Sequence, residues 1–229
     1  MKTRIAYAGN FGSFSWKAAE LAVKLNPFLS DADLIEALDP PTAIQKLWAG
    51  EVEYAVVPLF NHHLGGGIPA SIEGFKKVSC PLPESDEHWL QDFLNLNAER
   101  IVGKPIPLPI EFAIHALPSV EPAEVTRLAA YSMAIAQCEK GIERMVKRRL
   151  EIVPYSDTAK SAHDLAALSK NTAFATEEAE AACLLPLENV GVLGPAWCDE
   201  LFGLKMVYPE VQDNPQGNVT TFALMRNLL

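Results

Sequence analysis

Apolar positions along the chain change their spacing repeatedly, and the changes cut it into short strands and amphipathic helices. Residues 4 to 8, RIAYA, form a compact apolar run that breaks into GNFGSFS. WKAAELAVKL follows, with apolar positions at the three- and four-residue spacing of one helix face. Strand, glycine turn and helix in that order open an α/β fold. TAIQKLWA (42–49) predicts a second helix, closed by Gly50, and EYAVVPLF (53–60) a second buried strand. The polar, glycine-rich NHHLGGG comes next, then a helix or turn over IPASIEGF. Residues 76–100 read as a proline-containing acidic insert that ends in a surface helix, WLQDFLNLNAE. From Ile106 to Leu117 apolar and other residues alternate as in one strand, with proline tolerated at its start.

The second half repeats the alternation. EVTRLAAYS precedes a helix over 134–149, then a strand in LEIVPYS. The next helix opens in SDTAKSAHDLAA, where Ser156 or Asp157 is the cap. A short strand, TAFAT, an acidic, alanine-rich helix, EEAEAACLL, and VGVLGPAWCDELFGL lead to the last strand, entered through DNPQGN. The expected architecture is two α/β lobes, residues 1–108 and 109–229, with the C-terminal strand of the second returning to the hinge. A ligand cleft between the lobes follows from that shape.

Composition narrows the partners. The chain has 229 residues, 49% of them hydrophobic, enough for a substantial core, and a formal net charge of −10, which repels phosphate backbones. No nucleic-acid partner is expected. No apolar run reaches the roughly 18 residues of a membrane span, and MKTRIAYAG turns polar too early for a signal peptide, so a cytoplasmic protein without membrane contact is expected. The four cysteines lie far apart with no C-x-x-C pair, and are expected to be free, packed thiols.

Loops at the carboxyl ends of parallel strands hold the ligands of open α/β sheets, which singles out Gly9–Ser15 and Asn61–Gly67. The first can present backbone N–H groups and a helix N-terminus to an anion; Ser13 and Ser15 either add hydroxyl donors or cap the helix. Two glycines where a dinucleotide fingerprint needs three, with no ribose-binding acid after the next strand, argue against a nucleotide cofactor. Adjacent His62 and His63 point apart on extended backbone with no carboxylate or cysteine nearby, so no metal is expected. His62 is instead a candidate proton donor near neutral pH, and Asn61 an amide donor to a carboxylate or keto oxygen. His115 reads as a core or hinge histidine satisfied by backbone.

Six segments in order resemble the catalytic domain of the prephenate dehydratase family. G-P-x-G-T-F-S of that family is similar to Gly9-Asn10-Phe11-Gly12-Ser13-Phe14-Ser15, and V-P-I-E-N-S to Val57-Pro58-Leu59-Phe60-Asn61-His62. S-H-P-Q-A-L-x-Q-C is similar to the segment from Ala130 to Cys138, and the S-T-A helix start to Asp157-Thr158-Ala159. AWCDELFGLKMV resembles A-A-x-x-Y-G-L-x-V-L, and Asp213 with Asn218-Val219-Thr220-Thr221-Phe222 resembles D…N-x-T-R-F. The resemblance covers nearly the whole chain apart from inserts near 76–100 and 176–193.

That resemblance implies a bilobal fold like type II periplasmic binding proteins, and a lyase of aromatic amino acid biosynthesis. The substrate would be prephenate or a close cyclohexadienyl keto acid, which loses its ring carboxylate as CO₂ and its 4-hydroxyl as water to give an arylpyruvate. It implies that Thr220 assists departure of the hydroxyl. Ser13, Ser15, Asn61, His62, Thr158, Asn218, Thr221 and Phe222 would contact this dicarboxylate, with Thr158 alternatively serving only to start its helix. It implies a homodimer, and the chain, ending seven residues past Phe222, is expected to lack the regulatory ACT domain. The family positions that differ include the proline of G-P-x-G, the glutamate and serine of E-N-S, which are Phe60 and His62 here, the histidine of S-H-P, and the arginine of T-R-F, which is Thr221 here. Losing that charge-assisted bond costs about 1.5–3 kcal/mol unless another base compensates, with Arg4 and Lys104 as candidates. The departures keep two alternatives open: a non-aromatising prephenate decarboxylase of secondary metabolism, and a non-catalytic protein that binds small carboxylates.

Overall fold

The structure, a computed structural model, describes residues 2–170 and 183–228. The chain forms two compact α/β units, one from residues 1–109 and 219–229, the other from 110–218.

The first unit opens with β1 (Arg4–Ala8) and α1 (Phe14–Leu25), then β2 (Asp33–Ala37), α2 (Pro40–Trp48) and β3 (Tyr54–Asn61). A tight hairpin to β4 (Gly66–Gly67) follows, then α3 (Pro69–Lys77), α4 (Trp89–Leu96) and β5 (Ile106–Pro109). The last strand of the chain, β11 (Val219–Arg226), is part of this sheet, whose order is β2-β1-β3-β11-β5 with β4 paired to β3. β1 runs parallel to both neighbours, whereas β11 is antiparallel to β3 and β5. Sequence patterning puts residues 219–229 with the second lobe; hydrogen bonding places Val219–Arg226 between two strands of the first.

Patterning also misses β2, because DLIEA is half-exposed, its two apolar residues Leu34 and Ile35 stand between Asp33 and Glu36, and it shows no continuous apolar run. α4 is more than the expected surface helix. Trp89 and Phe93, one turn apart, both enter the core, where the Phe93 ring lies 5.2 Å from Trp89 and 4.8 Å from Phe75.

The second unit starts with β6 (Phe112–Ala116), so the alternating run expected as one strand from Ile106 to Leu117 is two strands in two different sheets. It continues through β7 (Arg127–Ala130), α5 (Ser132–Ile135), α6 (Glu139–Val146), β8 (Glu151–Pro154) and α7 (Thr158–Ser169). After β9 (Val190–Pro195), α8 (Cys198–Phe202) and β10 (Lys205–Tyr208) complete it, with sheet order β10-β6-β9-β7-β8. The single helix expected over 134–149 is interrupted because the Gln137 carbonyl accepts the Asp213 N–H at 2.8 Å instead of continuing the helix ladder. The expected strand TAFAT and the first six residues of the expected helix EEAEAACLL lie outside the described residues; its last three, Cys183 to Leu185, are turn and irregular backbone. Cys80, Cys138 and Cys198 are buried thiols, as expected, but Cys183 is exposed.

Candidate functional site

A register shift in the first sheet sets the direction of Asn61 and His62 and brings them beside Thr220 and Thr221. Ala223 pairs with Val57 and Met225 with Ala55, and these four point, with Leu59, into the core under α2, α3 and α4. Between Thr221 and Phe222 the pairing jumps from Phe60 to Pro58, so Leu59 is a bulge residue. Phe60 consequently packs into the same core as its neighbour Leu59. Beyond the bulge the alternation resumes with its sense inverted. Only β3 is inverted: Asn61 thereby joins Thr220 on the opposite face, the one covered by α1, and His62 joins Thr221 on the side of Phe60, while β11 alternates without a break.

Each pair is closed by a hydrogen bond. The Asn61 Nδ2 group donates to Thr220 Oγ1 at 2.9 Å, and both residues are buried, at 2% and 6% exposure. Asn61 Oδ1 accepts the Leu64 N–H at 2.8 Å, and the Asn61 carbonyl accepts the Gly65 N–H at 2.9 Å, which closes the hairpin tip around the amide. On the other side His62 Nε2 lies 3.0 Å from Thr221 Oγ1, with the ring edge-on to Phe60. Two of the family positions replaced here, the serine after E-N and the arginine of T-R-F, are therefore occupied by residues that touch one another. Phe222 is a core residue at 2% exposure, opposite Pro58 and Ile106.

The turn after β1 is less open to an anion than its sequence suggests. Ser13 caps α1: its hydroxyl accepts the Trp16 N–H at 3.2 Å and lies 3.3 Å from the Ala8 carbonyl. Ser15 is buried in the first helical turn. The Glu36 carboxylate takes the Phe11 N–H at 2.8 Å and the Tyr7 hydroxyl at 3.2 Å, so a negative charge already occupies part of this turn's donor surface. Neither basic residue suggested for the missing arginine stands near Thr220. Arg4 begins β1, four residues or about 13 Å of strand from its carboxyl end, and pairs with Glu53. Lys104 precedes β5 by two residues, and it is Leu108 that pairs with Thr220, again about 13 Å along the strand.

Thr158 and Asn218 belong to the second unit. Thr158 is the first residue of α7 and is buried, but Asp157 is the cap, accepting the Ala159 and Lys160 N–H groups at 2.8 and 2.9 Å. Buried Asn218 donates its N–H to the Asn214 carbonyl and accepts the Ile110 N–H at 2.8 Å. Sequence reading passes over a polar cluster on α7. The Asp164 carboxylate meets the Tyr155 hydroxyl at 2.5 Å, Lys160 Nζ at 2.6 Å and His163 Nδ1 at 3.1 Å. Burial favours the neutral acid, but bonds from His163, Lys160 and Tyr155 outweigh it and hold Asp164 below its usual range. The one-turn spacing of Lys160, His163 and Asp164 is the available signal. His115, fully buried, is bonded through Nε2 to the Pro195 carbonyl at 3.0 Å.

Among the described residues no group of three or more His, Cys, Asp or Glu is gathered as metal ligands would be, and no helix is long and apolar enough to cross a membrane. The fold and this geometry define a two-unit α/β protein with a buried hydroxyl–amide pair where an antiparallel strand meets the end of a parallel one. The prephenate dehydratase family model matches residues 5–228, and the chain belongs to that family. It is 28% identical over 222 residues to arogenate dehydratase 5 of Arabidopsis thaliana, covering 97% of this chain and 41% of that protein. Against prephenate dehydratase of Bacillus subtilis (strain 168) it is 28% identical over 224 residues, covering 97% of this chain and 63% of the relative. It thus spans less than two thirds of either relative. The prephenate dehydratase of Arthrobacter aurescens, solved in complex with L-Phe, shares its fold at a TM-score of 0.66 and 24% identity, over 99% of this chain and 61% of that one.

Proposed function

We propose that the chain is a dehydratase-type lyase for prephenate or its amino counterpart arogenate, with Thr220 as the catalytic residue. The observation that carries this reading is the Thr220 hydroxyl. It is buried at the strand end, it accepts from Asn61, and it has no acceptor for its own proton among the described residues. In the reaction the C–C bond to the ring carboxylate breaks, CO₂ leaves, and the freed electron pair enters the ring. The ring becomes aromatic as the 4-hydroxyl departs, and a hydrogen bond from Thr220 stabilises the charge developing on that oxygen. The departing oxygen leaves as water, with the balancing proton drawn from solvent. Aromatisation supplies much of the driving force, so the protein's main task is orientation.

A second reading has one observation in its favour. The His62 imidazole lies beside Thr221, where the family has an arginine, and an imidazole at that position suits a decarboxylase that protonates the ring and keeps the 4-hydroxyl. Incubation with prephenate and with arogenate at neutral pH, followed by ultraviolet absorbance and product mass, separates the readings. Phenylpyruvate or phenylalanine supports the dehydratase, and a non-aromatic keto acid that keeps its hydroxyl supports the decarboxylase. Tight binding without turnover supports a carboxylate-binding protein. The reading includes a cytoplasmic homodimer working without metal or cofactor; mass in solution and activity after chelation test those parts.

A further inference from the structure

The polarity of the Asn61–Thr220 bond follows from chemistry alone. One head of the Asn61 amide faces the Leu64 N–H, which can only donate, so that head is the oxygen. The other head is therefore the NH₂ group, which can only donate, and Thr220 Oγ1 must accept from it. A hydroxyl that accepts from its one partner among the described residues keeps its proton for something else. Were the amide reversed, an N–H would face an N–H at the hairpin tip, and the threonine proton would be drawn back to the protein. Both partners are buried, where a mismatched polar pair is costly, and so the hairpin tip fixes the direction of the proton.

We infer that Asn61 is a positioning residue, oriented by the Leu64 N–H, that holds Thr220 as an acceptor and so leaves its hydroxyl proton for the ligand. The inference rests on the reading of Thr220 as the donor to a leaving group. It assigns Asn61 a role different from the ligand contact expected of it from sequence, since the amide acts through the threonine.

Asn61→Asp tests it, because the two side chains have the same shape. The introduced carboxylate still accepts from Leu64, but in its ionised form it can only accept from Thr220, which reverses the bond and withdraws the proton. The expected result at neutral pH is a loss of about 10²-fold in kcat with KM and melting temperature little changed. As pH falls and the introduced carboxylate becomes protonated, it can donate again, so kcat above the uncatalysed background recovers; the wild type gains nothing comparable. A variant with wild-type kcat, or with the wild-type pH profile, overturns the inference while leaving the dehydratase reading intact. Should the wild-type protein turn over neither prephenate nor arogenate, or should the variant not fold, NMR of the Asn61 side-chain amide decides. Thr220→Val must shift and deprotect one Asn61 Nδ2 proton. An amide indifferent to that substitution overturns the assignment whatever the reaction proves to be.

Discussion

Asn61 reaches Thr220 on the α1 face of the sheet only because Leu59 bulges, and the Thr220 hydroxyl is then set by a single amide. Replacing Thr220 with Val keeps the branched shape in a strand and removes only the hydroxyl. The expected outcome is a fall in kcat of about 10²-fold or more, with melting temperature within a few degrees of wild type, whereas Thr220→Ser keeps most of the activity. Steady-state rates on prephenate and arogenate check both. His115 makes a separate prediction, on stability. Burial, the dominant influence, pulls its imidazole below the usual value, while the Pro195 carbonyl and Asp199 push partly back. The folded state thus binds fewer protons than the unfolded chain once pH drops below the unfolded value of about 6.5. Stability from this residue is complete above that pH and declines as pH falls through it, by about 1.4 kcal/mol per unit until the folded group itself protonates. Asp164, also depressed, contributes stability that is lost only at the lower pH where carboxylates protonate, so the two windows are distinct. Calorimetry between pH 7 and 5 should show a falling melting temperature that flattens in His115→Gln, whose amide can still donate to Pro195. An unchanged slope would mean that other groups carry the acid sensitivity. Asn61 and His62 stood out as candidates in a strand-end loop and Thr220 through the family resemblance, but the hydrogen bond that joins Asn61 to Thr220 depends on strand pairing and could not be read from either segment. Ser13 could not be divided between capping and binding, since that depended on where the Trp16 N–H pointed.

Helix α6 shows how one element is set by backbone from far along the chain. A Cβ added to Gly141 would come within 1.8 Å of the Val211 carbonyl oxygen, and the Gly141 N–H donates to Asp213 Oδ1 at 2.8 Å. Glycine is there for approach of another strand of backbone, and its conformation is ordinary helix. Gly141→Ala is expected to destabilise the second unit by about 3 kcal/mol, because the obstruction is backbone and cannot rotate away. Gly66→Ala, where a Cβ would meet nothing within 4 Å, should change stability by no more than about 0.5 kcal/mol. Urea denaturation of the two variants measures the contrast. The same contact explains why periodicity over 134–149 reads as one helix: local apolar spacing carries no record of the Asp213 N–H that takes the Gln137 carbonyl. Helices α1, α2 and α7 were legible because cap, apolar face and terminus all lie within their own segments. The bulge at Leu59 was not, since register is a relation between two strands some 160 residues apart, and only their pairing reveals which side chains share a face.

Across the whole molecule the chain leaves the first unit after Pro109 and re-enters it at Val219. The alternating run from Ile106 to Leu117 concealed this, because an apolar/polar period of two is equally satisfied by one strand or by two strands in different sheets. The residues at the crossing are neighbours: Pro109 pairs with Val219 across the β5–β11 ladder, and the Ile110 N–H bonds the Asn218 carbonyl at 2.8 Å. Antiparallel partners this close can be joined by a two-residue turn. A protein made of residues 1–109, Asn-Gly and residues 219–229 is therefore expected to fold cooperatively, and residues 110–218 to fold as a separate chain. A chain ended at residue 218 makes the opposite prediction for the first unit. It lacks β11, whose Phe222, Ala223, Leu224 and Met225 are all buried and which lies between β3 and β5. Losing it strands β5 and opens the core that Ala223 and Met225 share with Phe75 and Phe93. Thermal unfolding followed by circular dichroism should give a sharp transition for the Asn-Gly protein and, for the truncated chain, one transition only, that of the second unit. A broad, non-cooperative transition from the Asn-Gly protein would show that the first unit draws stability from residues 110–218 that its own sheet and core do not supply.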